Sequence, residues 1–142
     1  MKLIFPGSFD PFTKGHESVA RRALEFCDEM VIAVGYNGQK KNSGLFSVED
    51  RVKMISEFYH DEPRIKVIAY STLTTDVAKK MGCTHILRGV RTVIDFEYER
   101  QLADVTVTYE EDAVRAHAVV ETAVDVGKLS LVFEVDYRTH AS

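Results

Sequence analysis

A hydroxyl, a carboxylate and an imidazole stand close together in the stretch PGSFDPFTKGHESV, Pro6 to Val19. Gly15 and His16 fall where a turn-rich loop meets a helix-like pattern. Free backbone N–H groups and the helix dipole attract anions at such a junction. Ser8 and His16 can therefore face one phosphate together, as a site that stabilises negative charge on a phosphoryl group. Gly7 and Gly15 permit tight turns and close approach of the backbone to a ligand. Pro6 and Pro11 stiffen the loop between them. The stretch lacks the GxxxxGK[ST] pattern of a P-loop, so its phosphate geometry must differ. A bare Gly-His pair would read as a helix-capping turn; the whole GxFDPxxxGH string carries the anion reading.

A second group lies far along the chain. Arg88 and Arg91 frame Gly89 in the string RGVR. Arginine meets phosphate bidentately, and glycine lets backbone come close. Two arginines at this spacing serve equally well as surface charges, and the residues alone leave both readings open. Glu97 and Glu99 beside Arg100 fit a solvated helix face. The polar loop YNGQKKNSG carries Lys40 and Lys41. His60, His85, His117 and His140 have no partner pattern, so a structural zinc site is not expected. Cys27 and Cys83 lie apart without a CxxC spacing and read as two buried free thiols of a reducing compartment.

The elements that must position these residues alternate strand and helix. LIF is a first strand, and His16 to about Cys27 a helix with Val19, Ala20, Ala23 and Leu24 at helical spacing. MVIAVG is a continuous apolar run, which suits a strand buried on both faces. Ser47, with Asp50 three residues on, starts a second helix in a capping-box pattern. IKVIAY is a third strand. TTDVAKKMG is a short helix with Gly82 in the left-handed position at its end. HILRG is a fourth strand and VIDFEYERQLAD a further helix. This order predicts an α/β fold: a Rossmann-like parallel sheet with helices on both faces. Such sheets bind ligands at the carboxyl ends of their strands. PGSFDPFTKGH, YNGQKK and RGVR all sit there.

A chain of 142 residues reads as a single domain, 1–142. At that size a chain buries roughly 70% of its unfolded surface, enough for one core. No apolar run reaches the length of a membrane span, and no leader pattern precedes KLIF. A net charge of −4 argues against general nucleic-acid affinity. That charge is uneven: residues 105–142 account for all of it, and every proline and isoleucine precedes them. The change near Asp104 marks 105–142 as an atypical C-terminal segment. In it, LSLVFEVDY alternates as a strand, while DAVRAHAVVETAV suits helix or strand.

TKGH, Thr13 to His16, resembles the [TH]xGH signature of nucleotidylyltransferases. RGVRTVIDFEYE, Arg88 to Glu99, resembles more narrowly the phosphopantetheine adenylyltransferase family. The likeness covers about residues 2–104. It implies a cytoplasmic enzyme of coenzyme A synthesis, commonly a homohexamer, that transfers AMP from ATP to 4′-phosphopantetheine with Mg2+ accompanying the nucleotide. By resemblance His16 stabilises the transition state at the α-phosphate. Ser8 contacts both substrates, and Phe9 offers its backbone amide to ATP. Lys40, or adjacent Lys41, holds the acceptor phosphate together with Arg88. Thr74 touches the pantetheine arm through its backbone. Gly89, Val90 and Arg91 line the ATP site, and Glu99 contacts the nucleotide.

After Asp104 the chain departs from that pattern. The family has a serine-rich helix start that cradles ATP phosphates; here Ser130 and Ser142 stand alone. Two readings therefore stand side by side: an adenylyltransferase working with its own tail, and a weak or inactive nucleotide-binding homologue. Another nucleotidylyltransferase is the third. The acceptor used and the release of pyrophosphate discriminate among them.

Overall fold

The structure, a computed structural model, describes residues 1–39, 44–90, 114–121 and 129–137. Strands β1 (Lys2–Gly7), β2 (Glu29–Gly35), β3 (Ile65–Tyr70) and β4 (His85–Val90) alternate with helices α1 (Lys14–Leu24), α2 (Val48–Phe58) and α3 (Thr74–Lys80). Two further strands follow, β5 (Val114–Glu121) and β6 (Leu129–Tyr137). One sheet holds them all in the order β3-β2-β1-β4-β6-β5. The first four are parallel, with Leu3 opposite Met30 and Met30 opposite Ile65. The α/β, Rossmann-like architecture expected from the pattern is present.

Alternation along the strands sorts the core into two layers. Leu3, Phe5, Met30, Ile32, Val34 and Leu87 pack with Val19, Ala20 and Ala23 of α1 and Ile55 of α2. Ile4, Val31 and Ala33 point the other way and meet Val77 and Ala78 of α3. Helices thus cover both faces, and β2 is buried on both, as its unbroken apolar run requires. Burying such a side chain contributes about 1.5–3 kcal/mol. Cys27 and Cys83 are free and buried, and burial pushes both thiols up from their usual range.

Several local expectations are corrected. The sheet is not wholly parallel, because the tail adds β6 and β5 antiparallel to β4 and to each other. The ambiguous DAVRAHAVVETAV contains a strand; its valines, stiff at χ1, favour extended backbone. LSLVFEVDY is a strand as its alternation implied. Helix α1 begins at Lys14 rather than His16 because Thr13 caps it, and it ends at Leu24, with Cys27 buried beyond it. Gly15 is accordingly helical and makes no turn. Pro6 lies inside β1 rather than in the loop. It brings no N–H to either neighbour, which a strand tolerates near its end. Ser47 Oγ accepts from Asp50 N–H at 3.1 Å and starts α2. Gly82, at φ 72°, takes the left-handed position after α3. The helix expected over VIDFEYERQLAD lies outside the described residues. Among the described residues no helix is long and apolar enough to cross a membrane.

Candidate active site

Strand order places the site. The chain runs outward from β1 to β2 to β3, then returns to lay β4 on the other side of β1. That reversal falls at the carboxyl ends of β1 and β4, the favoured ligand position of such sheets. Register between β1 and β2 runs from Lys2 to Gly7, whereas β1 and β4 are in register only at Leu3 and Ile4. The two strands part before their carboxyl ends, where Ser8 follows one and Arg88, Gly89 and Val90 finish the other. Connections after β2 and β3 reach the same edge of the sheet.

The loop after β1 is shaped by aromatic packing. Phe9 adopts φ 46°, a left-handed conformation that costs a non-glycine residue strain. Its ring repays that by burial, edge-on to Phe5 at 5.1 Å and to His16 at 5.0 Å between centroids. A Cβ on Gly7 would come within 2.9 Å of the Phe9 ring, so the packing of that ring requires glycine there. With Phe9 turned inward, Ser8 is left exposed beside it.

His16 sits at the third position of α1, half-buried, in a reciprocal cap. Thr13 N–H donates to His16 Nδ1 at 3.0 Å, and the Thr13 hydroxyl lies 3.1 Å from the same nitrogen. A backbone N–H can only donate, so Nδ1 is an acceptor there and the ring proton resides on Nε2. The cap therefore fixes a neutral tautomer whose Nε2 is a hydrogen-bond donor. Sequence reading placed an imidazole at the helix mouth; the tautomer needed the fold.

Two braces on this loop were not foreseen. Asp10 accepts from Leu45 N–H at 2.8 Å and Phe46 N–H at 2.9 Å. Arg51, buried in α2, donates from NH1 to the Ser8 carbonyl at 2.8 Å and from Nε to the Ser47 carbonyl at 3.4 Å. The one sequence hint of the Arg51 brace was an arginine on the inward stripe of a helix.

The other expected residues fall as follows. Thr74 opens α3, its hydroxyl 3.0 Å from that of Tyr70. Arg88, half-buried, stands in β4 opposite Leu131, with Gly89 opposite Ser130 and Val90 opposite Leu129. The tail thus enters the sheet directly beside the RGV segment. Lys40, Lys41, Arg91 and Glu99 lie outside the described residues. Among the described residues no group of three or more His, Cys, Asp or Glu side chains stands ready for a metal ion.

Residues 4–138 match a family model described as cytidylyltransferase-like, a span that includes both tail strands. The phosphopantetheine adenylyltransferase of Bacteroides fragilis is 55% identical over 104 residues, covering 73% of this chain and 68% of that one. The enzyme of the same name from Phocaeicola vulgatus is 53% identical over the same length, covering the same shares. That from Lachnoclostridium phytofermentans is 46% identical over 113 residues, 79% of this chain and 68% of its own.

Proposed function

Because this chain belongs to the phosphopantetheine adenylyltransferase family of cytidylyltransferase-like proteins, we propose that it transfers AMP from ATP to 4′-phosphopantetheine. A phosphate oxygen of the acceptor attacks the α-phosphorus, the α–β anhydride bond breaks, and pyrophosphate leaves. The products are pyrophosphate and 3′-dephospho-CoA. The acceptor phosphate is already ionised near pH 7, so no protein base is required, and the protein's work is positioning and charge stabilisation.

The observation that carries this reading is the tautomer of His16. Nδ1 accepts from Thr13 N–H, so the ring proton is on Nε2, the atom that in this reading donates to an α-phosphate oxygen as charge builds there. Ser8 contacts both substrates, and the Phe9 backbone amide meets ATP. Gly89, Val90 and Arg91 line the nucleotide, with Glu99 beside it. Arg88 and Lys40 hold the acceptor phosphate; Lys41 is the control for Lys40. Thr74 contacts the pantetheine arm through its backbone. Magnesium enters as the cation of the MgATP substrate. A net charge of −4 supports the absence of a nucleic-acid partner. A cytoplasmic homohexamer with no membrane partner completes the reading.

The test is ATP-dependent formation of dephospho-CoA, followed by pyrophosphate release, with phosphopantetheine, nicotinamide mononucleotide and glycerol phosphate offered as acceptors. Turnover with phosphopantetheine above the others supports the proposal. Preference for either alternative overturns it. Arg88→Ala should raise the KM for phosphopantetheine more than that for ATP. If pantetheine without its phosphate binds the wild-type chain equally well, the roles of Arg88 and Lys40 are wrong.

A further inference from the structure

Asp10 sits in the loop that presents Ser8 and His16, yet its carboxylate points away to the connection between β2 and α2. Both oxygens are engaged there, one by Leu45 N–H at 2.8 Å and the other by Phe46 N–H at 2.9 Å. Hydrogen bonds from backbone N–H to an ionised carboxylate are among the stronger ones. Gly44 makes the fit close, because a Cβ at that position would overlap Asp10 Oδ2. A second tie runs beside the first, from Arg51 to the Ser8 and Ser47 carbonyls. Two loops from the ends of adjacent strands are thereby locked to one another. One presents Ser8 and His16; the other contains Lys40 in its sequence.

We propose that Asp10 is a positioning residue for AMP transfer: its carboxylate clamps the β2–α2 connection onto the β1–α1 loop and so sets the two reacting phosphates in register. Asp10 touches neither substrate. It acts through Leu45 and Phe46, and Gly44 is the residue that lets it do so. The inference rests on the adenylyl-transfer reading and adds to it the device that holds the acceptor side of the site to the nucleotide side.

A double-mutant cycle tests it on the full chain. Asp10→Ala should lower kcat/KM for phosphopantetheine by roughly tenfold to hundredfold, the scale of a small misplacement of reacting groups. Asp10→Asn keeps one acceptor oxygen and should fall between wild type and Asp10→Ala. Gly44→Ala should act in the same direction, since its methyl pushes the carboxylate off the amides. In the Asp10→Ala background, Gly44→Ala has no oxygen to strike and should add nothing. Amide hydrogen exchange at Leu45 and Phe46 reads the clamp without turnover, and should quicken in each single variant. Additive losses in the cycle would overturn the proposal. So would faster exchange with unchanged kinetics, or unchanged exchange in Asp10→Ala. A wild-type chain that forms no dephospho-CoA overturns the functional reading and the positioning role with it, whereas an active wild type with an indifferent Asp10→Ala sinks the clamp alone.

Discussion

The cap made by His16 and its proposed role in catalysis are separable. Its Nδ1 completes the cap of α1 through Thr13 N–H, while Nε2–H is the proposed donor for charge on the α-phosphate. His16→Ala removes both, so we expect kcat to fall by roughly 10²–10³ and the fold to lose about 1 kcal/mol of helix capping. His16→Glu supplies an acceptor, and no donor when ionised, at the same capping position. It should recover the stability in thermal melts and leave kcat low; full recovery of kcat would refute the donor role. Tyr59 shows the opposite economy. Its hydroxyl is buried without a partner among the described residues. Burial, with Glu17 nearby, pushes the phenol up to about 12. The folded chain holds that proton more tightly than the unfolded chain does. The stability linked to it is present below pH 10, the ordinary value, and is lost as pH rises towards 12. Tyr59→Phe removes an orphaned hydroxyl worth about 1–3 kcal/mol when unsatisfied. A higher Tm at pH 7 and a flatter stability profile above pH 10 are expected; a lower Tm would show that the hydroxyl has a partner.

At the scale of elements, α1 and α2 each start where a side-chain oxygen, of Thr13 or Ser47, meets a free N–H group. Helix α3 follows Leu73 without such a cap, and β1 and β2 are buried runs covered on both sides. β6 has a distinctive place. It lies between β4 and β5, pairing with both, so that Leu131 faces Arg88 on one side and Val120 on the other. Its backbone groups are committed in both directions. Proline at position 131 would remove a ladder bond in the middle of a sheet, where proline is not tolerated. Leu131→Pro should therefore lower the urea midpoint markedly and impair binding of both substrates, because β6 pairs with Arg88, proposed for the acceptor phosphate, and with Gly89 and Val90, proposed for the nucleotide. Equal titration of ATP by calorimetry in the variant and wild type would disconnect the tail from the nucleotide side.

For the whole molecule, the atypical tail extends the sheet. All of His85–Val90 is paired with Leu129–Glu134. A chain ended after Asp104 would bare that edge of β4, and an unpaired strand edge invites association with other chains. We expect the truncated protein to melt lower and to form heterogeneous aggregates, read by differential scanning calorimetry and light scattering. A monodisperse truncated chain of unchanged Tm would mean that the tail strands contribute nothing to the fold.

Local chemistry determined much of this protein. Apolar runs and helical spacing announced β1 to β4 and α1 to α3 because burial imposes periods of two and 3.6 residues on any chain that packs in layers. Gly82 announced a helix end because few other residues accept φ 72°. The GxFDPxxxGH string suggested an anion site, whereas the arginine pair left phosphate contact and surface charge equally open. Tertiary structure alone decided the rest. Two strands in the tail have no local signal saying which edge they join; β6 sits on β4 because that edge was open. The tautomer of His16 depended on where the cap placed Thr13 N–H. Asp10 and Leu45 are 35 residues apart, and neither predicts the other: a carboxylate in a turn satisfies nearby amides as readily as distant ones. Only the return of the chain through β2 brings those amides within its reach.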